Sequence, residues 1–396
     1  MMNLATGGFE NGGRAQSGGR TLHNLLRIVF ALFISANAGG AAQGQRVDVP
    51  MVSDRWQQVF GNAEFKQHKG AEALVMIAEG AAKPNAITFR NGTIEFDVDP
   101  VAMGAGLGFR MRDDETFEML YFRPQPNCAS APDCVQYAPF THKVLLWDLF
   151  PQYQAPAPLR QNEWNHVKVV ISGQRMNVFL NGAASPTLAV GRLEGDASEG
   201  GLALIGPGAF AHLTVTPDSV EGLTPDPAAD PTAADGRFVR HWQIAPASPL
   251  ADGSEPSVSD LPKPSTAWRA LAAERNGLVN ISRVYGLPAA RPARTLTWLK
   301  TTISSSRSQS KKAAIGWSRE VWVFVNGQRV YADKNLYMPP EARKAPDGRL
   351  SLQNGSLVLP LNAGDNEVAI AIANNFFGWG LILRLEDVDG LKLARE

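Results

Sequence analysis

The chain has 396 residues, 44% hydrophobic and 19% charged, which is ordinary for a globular protein with chain enough for two cores and excludes a disordered or membrane-embedded body. Its 38 basic residues balance 38 acidic ones, so no global field draws it towards nucleic acid or an anionic membrane. A neutral polymer or a small neutral ligand suits that balance.

The first segment reads as a secretory leader. Arg14, Arg20 and Arg27 precede the apolar run IVFALFIS (28–35), and Ala36-Asn37-Ala38 matches the small-residue cleavage pattern. The run is too short to span a bilayer, which takes about 20 residues. Residues 1–42 are therefore expected to be removed, leaving a secreted or periplasmic protein. The two cysteines, Cys128 and Cys134, lie close together in PNCASAPDC, and an exported chain would close that Pro-rich loop with a disulfide. No His or third Cys stands near them to complete a tetrahedral metal set.

From residue 43 to 217 apolar residues alternate at period two, with turn signals between runs. AITFRNGTIEFDVDP (86–100) turns at Asn91-Gly92 and then places Ile94, Phe96 and Val98 on one face. GLGFRMRDDETFEMLYFRP (106–124) reads as two strands joined by the acidic turn Asp113 to Thr116. KVLLWDLF (143–150) and the hairpin NHVKVVISGQRMNVFLNG (165–182) follow, and GGLALIG with AFAHLTVTP closes the series. Residues 218–236, rich in Pro, Asp and Ala, offer no apolar face and read as an extended, solvated linker.

A second β-rich segment spans 237–396. It opens with the irregular stretch 248–265 and one short helix, expected around Ala267 to Glu274, before strands resume at 277–286, 295–306, 320–332, 348–361, 366–375 and 380–388. The phrase VFxNG occurs twice, at Val178–Gly182 and Val323–Gly327, each time as a strand running into Asn-Gly. Those residues tolerate the positive φ of a tight hairpin turn. The flanking sequences differ, which favours two unrelated sandwiches over a duplication. The fold class is thus all-β, two antiparallel β-sandwiches in tandem.

The stretches NGTIEFDV, GLGFRMRDDETFEMLYFRP, EWNHVKVVISGQRMNVFLNG and GGLALIG with AHLTVTP resemble the concanavalin A-like lectin/glucanase superfamily, including its laminin G-like and 3-keto-disaccharide hydrolase-like members. REVWVFVNGQRVYADKN, LVLPLNAGDNEVAIAIANN and FFGWGLILRLED resemble the galactose-binding-like jelly roll. The resemblance implies a carbohydrate partner for the first sandwich. It also implies an alternative, a glycosidase or a hydrolase of 3-keto-glycosides. A non-catalytic adhesion module is a third reading, because fold does not determine function.

Candidate residues follow. Glu95 and Asp97, with Asp99, resemble the alternating carboxylate strand of related glucanases, and Glu118 is a further acid/base candidate. Glycosidases need two carboxylates about 5–9.5 Å apart, whereas i and i+4 on a strand are about 13 Å apart along the backbone. Alternation alone also explains these acids as the solvated face of a half-buried strand. For binding, Tyr121 and Arg123 share a strand face with Phe117 and Met119. Together with Gln136 and Tyr137 they would line a shallow groove of aromatic faces and polar hands. Arg110 is a further candidate, or a cross-strand partner of Glu118. In ANNFFGWG, Asn374, Asn375 and Trp379 offer amides beside an aromatic ring. The six isolated histidines, and the absence of HExxH, GxSxG, a phosphate loop or a dinucleotide fingerprint, disfavour zinc hydrolases, common serine esterases and nucleotide enzymes. No cofactor is expected; a structural calcium held by carbonyls and an Asp is compatible with a sandwich.

Overall fold

The computed structural model describes residues 44–286 and 294–394, so the expected leader lies outside the described residues. Among the described residues the regular secondary structure is nearly all strand, arranged in four antiparallel sheets. In the first sheet the Gly92–Pro100 strand lies between Asn165–Ser172 and Gly208–Pro217, flanked by Arg175–Leu180 and Leu188–Val190 on one side and by Ala71–Met76 and Glu64–His68 on the other. In the second, Thr116–Phe122 lies between Val135–Thr141 and Gly106–Asp113, and Gly201–Ile205, Ala81–Pro84 and Trp56–Phe60 complete the run.

The period-two pattern explains why these sheets face each other. Ile94, Phe96 and Val98 point inward from the first sheet and meet Leu107, Phe109, Leu120 and Phe122 from the second in one core. The acidic hairpin forms as expected, with Asp113 opposite Thr116. The disulfide joins Cys128 to Cys134.

The third sheet orders Arg269–Ala272, His241–Ile244, Arg294–Ser305, Gly364–Asn374, Arg319–Val325 and Gln328–Asn335; the fourth orders Val279–Asn280, Gly380–Leu385, Gln309–Trp317 and Gly355–Leu361. Their inner faces share a second core, including Leu299, Val323, Ile370, Trp317 and Leu383. The irregular stretch 248–265 is not idle: Leu250 and Leu261, followed by Trp268, cover the outer face of the third sheet over Trp298, Trp322 and Phe324.

Three local expectations are corrected. The helix expected near Ala267 to Glu274 is instead the strand Arg269–Ala272, paired with His241–Ile244, because an open sheet edge outweighs the weak helix preference of Ala and Leu. The α-helix falls at Ser282–Tyr285, inside a stretch expected to be strand. Of the two VFxNG copies only Asn326-Gly327 forms a two-residue hairpin, Val325 pairing with Gln328. After Asn181-Gly182 the chain takes a longer loop, with Val178 opposite Leu188. There the Asn181 side chain accepts from the His166 N–H (3.0 Å) and donates to the Pro158 carbonyl (3.1 Å), tying neighbouring loops together.

The two sandwiches meet along a packed surface. Phe238, Leu278, Leu350 and Ile382 of the C-terminal sandwich join the N-terminal core. Arg349 donates to Asp133 (2.7 Å), and the buried Arg319 guanidinium pairs with the buried Asp148 carboxylate. Residues 218–236 carry no strand, yet their backbone is held: Gln174 N–H donates to the Pro225 carbonyl (3.0 Å) and Ala228 N–H to the Gly191 carbonyl (2.8 Å).

Removing one member of a buried ion pair leaves the other charge desolvated and unmatched, a cost of about 3–5 kcal/mol. Asp148→Asn should therefore lower stability by about 3 kcal/mol, read as a drop in urea midpoint with little change in slope.

Candidate ligand-binding site

The Thr116–Phe122 strand is buried on both faces. Phe117, Met119 and Tyr121, continuing to Arg123, point away from the sandwich core, and Glu118, Leu120 and Phe122 point into it, as their alternation dictates. On the neighbouring strand Phe140 lies opposite Phe117 and stacks on it, centroids 4.5 Å apart. Gln136 lies opposite Tyr121, and the Tyr121 hydroxyl donates to Gln136 Oε1 (2.7 Å).

Arg123 donates from Nη2 to the Tyr121 hydroxyl (2.7 Å) and to Gln136 Oε1 (2.9 Å), while Gln136 Nε2 donates to the Trp147 carbonyl (2.8 Å). Burial pushes the Tyr121 phenol up to about 12, so it stays a neutral donor. The Arg123 guanidinium lies 4.9 Å from the centre of the Trp147 ring and that of Arg349 lies 5.3 Å from it. Asp133, beside the disulfide, meets both cations, at 3.5 Å from Arg123 and 2.7 Å from Arg349.

Over this floor lies a cavity of about 390 Å³. Phe117, Met119, Phe140, Leu145 and Ile205 form its N-terminal wall, and Tyr337, Phe376 and Phe377 of the C-terminal sandwich close it. Trp147 meets Tyr337 edge-on at 4.9 Å and Phe377 at 5.8 Å. Glu79 and Asp114 stand at the exposed mouth, and Asp114 contacts Lys83.

The turn that delivers Phe376 and Phe377 is built by Asn374. Its side chain donates to the Phe377 carbonyl (3.0 Å) and accepts from the Phe376 N–H (3.0 Å). Gly378 N–H then donates to Asp148 Oδ1 (3.0 Å), while Arg319 Nε donates to the Phe376 carbonyl (3.0 Å) and lies over the Phe376 ring. Gly378 has no room for a side chain: a Cβ there would lie 2.4 Å from Asp148 Oδ1 and 2.6 Å from Leu149 Cγ.

The structure thus brings Tyr121, Arg123 and Gln136 together, two in the lining and one beneath it. Tyr137 lies on the opposite face, in the core, donating to Glu118 Oε2 (2.7 Å). Arg110 donates to the carbonyls of Arg90 (2.7 Å) and Gly173 (2.7 Å), fastening two turns away from the cavity. Asn375 lies beside the turn in a smaller polar pocket with Asn374, Arg294 and Glu320, and Trp379 is buried in the C-terminal core.

The carboxylate candidates do not converge on the cavity. Glu95, Asp97 and Asp99 lie on the outer face of the first sheet, where Asp97 meets His166 (2.8 Å) and His212 (2.7 Å), and Asp99 meets His68 (2.8 Å) and Lys69 (2.7 Å). Glu118 faces the interior, 1% exposed, and accepts from Tyr137 and from the Gly195 N–H (3.1 Å). Tyr337, Phe376 and Phe377 escaped the sequence reading. Their signal was the Phe-Phe pair in an Asn/Gly turn, where bulky apolar residues have no reason to sit unless something covers them.

No family model matches the chain, and no curated protein matches it. Solved structures similar to it include the carbohydrate binding module CBM66 from Bacillus subtilis, at 17% identity over 41% of this chain and 92% of that one, with a TM-score of 0.28. Domain 4 of AbnA, a GH43 extracellular arabinanase from Geobacillus stearothermophilus in complex with arabinotriose, is 11% identical over 45% of this chain and 83% of its own, with a TM-score of 0.27. An anti-sigma factor domain-containing protein covers 89% of this chain and 96% of its own at 8% identity and a TM-score of 0.23. At these scores the likeness carries no argument about function. Fold and site together define a two-sandwich protein with an aromatic-lined cavity at the junction.

Two outcomes follow from this geometry. Burial, opposed by the Tyr137 hydrogen bond and by Arg110, pushes the Glu118 carboxyl from 4.5 up to about 7. A raised folded-state value means that its contribution to stability is fully present below pH 4.5 and lost as pH rises through about 7. Glu118→Gln should flatten the fall in melting temperature between pH 5 and 8, a span worth about 3 kcal/mol for this group. Gly378→Ala should push the Phe376-Phe377 turn off Asp148, costing about 1–3 kcal/mol and changing the Trp147 fluorescence through the displaced Phe377 ring.

Proposed function

We propose that this is an exported, non-catalytic carbohydrate-recognition protein that holds its glycan in the junction cavity. The observation that carries the reading is the lining itself: Trp147, Tyr337, Phe376 and Phe377 offer aromatic surface, with Arg123 as a polar anchor and, among the described residues, no buried carboxylate pair facing in. Sugars present C–H faces that pack on such rings and hydroxyls that accept from a guanidinium. The balanced net charge agrees with a neutral ligand.

The rival reading is a glycosidase or 3-keto-glycoside hydrolase, and the observation favouring it is the pair Glu79 and Asp114 at the mouth. Both are exposed and Asp114 contacts Lys83, an arrangement suited to solvated surface groups.

A panel of oligosaccharides and 3-keto-glycosides, incubated with the chain and followed by both calorimetry and mass spectrometry, separates the two. Binding without cleavage, weakened about tenfold by Tyr121→Ala and free of new products in Glu79→Gln and Asp114→Asn alike, is expected. New products that vanish in either carboxylate variant would replace binding with catalysis.

A further inference from the structure

The cavity is poor in polar atoms for a sugar site, and its buried cation is already matched. Arg123 and Arg349 share Asp133, and Lys83 holds Asp114 at the mouth. Tyr121 and Gln136 spend their polar atoms on each other, on Arg123 and on the Trp147 carbonyl. Among the described residues, Arg123 Nε is the one buried side-chain polar atom of the lining without a hydrogen-bond partner. A fully hydroxylated sugar pushed to the floor would lose its water and find few replacements, and each unmatched hydroxyl costs about 1–3 kcal/mol.

The surroundings continue the same chemistry. Nine large apolar side chains are exposed among the described residues, and single ones need no explanation. Two of the nine line the cavity, and three more are close to lining residues in the sequence. Phe60 (53% exposed) and Met103 (59%) line the mouth, and Ile77, Val101 and Met338 lie within two residues of the lining residues Glu79, Met103 and Tyr337. Inside the mouth, where Glu79 and Asp114 stand, the lining that leads to the floor is apolar and aromatic.

We infer that the cavity takes the uncharged alkyl, acyl or aryl substituent of an amphipathic glycan, with the sugar held at the mouth near Glu79 and Asp114 and one ligand oxygen within reach of Arg123. This rests on the carbohydrate reading above and narrows it from bare glycans to substituted ones. Charge complementarity selects the occupant: a matched, apolar lining rewards a neutral chain and penalises a carboxylate or phosphate buried among Phe117, Met119 and Phe377.

The test uses the full chain and a homologous series of methyl, butyl and octyl β-glucosides and β-galactosides, kept below micelle formation, with 1-octanol as the sugar-free probe. Binding is read by calorimetry and by the part of the intrinsic tryptophan fluorescence change that is lost in Trp147→Phe. Affinity should rise by roughly threefold to fourfold per methylene until the cavity is filled, and octyl glycosides should bind at least tenfold more tightly than 1-octanol. Phe377→Ala and the exposed Met103→Ser should each lower the ratio of octyl- to methyl-glycoside affinity at least fivefold; the second variant touches no core. Methyl and octyl glycosides of equal affinity would overturn the inference and leave the carbohydrate reading standing. Octanol binding as tightly as the octyl glycosides would overturn the carbohydrate reading, and the inference with it. If the octyl glycosides do not bind while unsubstituted oligosaccharides do, the inference alone falls.

Discussion

The buried contact between Asp148 and Arg319 organises the molecule. Neither charge tolerates burial alone, so each sandwich carries half of an arrangement that is acceptable only when the two are docked. Asp148 also takes the Gly378 N–H, and its own carbonyl takes the Leu350 N–H at 2.8 Å. One residue of the N-terminal sandwich thereby positions two segments of the C-terminal one, through its carboxylate and its backbone carbonyl. Burial still outweighs these partners and pushes the Asp148 carboxyl up to about 6.

That docking makes the site. The outer face of the Thr116–Phe122 strand and its neighbours is a floor with one wall; the second wall arrives with Tyr337, Phe376 and Phe377. Phe376 is located through Arg319, which bonds its carbonyl and lies over its ring, so the ion pair and the cavity share a residue. Beneath the floor, the Tyr121–Gln136–Arg123 hydrogen bonds hold side chains of two adjacent strands in one rotameric arrangement. The same bonds consume the polar atoms that a sugar would otherwise use, which is why the surface left to a ligand is aromatic and aliphatic.

Much of this was legible from alternation. The placement of Phe117, Met119, Tyr121 and Arg123 on one face, and of Ile94, Phe96 and Val98 on another, needs only the two-residue period of a strand. Two of the binding candidates, Tyr121 and Arg123, reach the cavity for that reason. Tyr137 does not, because the same rule applied to its own strand sends it to the core beside Glu118. Asn374 belongs to the site in a different role, shaping the turn that carries the phenylalanines. The strand at Arg269–Ala272 was illegible, since RALA has helical preferences and its pairing partner lies some 25 residues upstream.

By itself, the sequence determined the all-β class, the two cores, which face of each strand is buried and the cysteine pair. These follow from local stereochemistry and from the hydrophobic effect acting on a short period. Tertiary structure alone decided that Glu95, Asp97 and Asp99 lie on a different sheet from the cavity, and that residues 148, 319 and 378 meet. Contacts between residues separated by more than 150 positions leave no periodic trace in the chain, because they depend on how two finished sandwiches fit together.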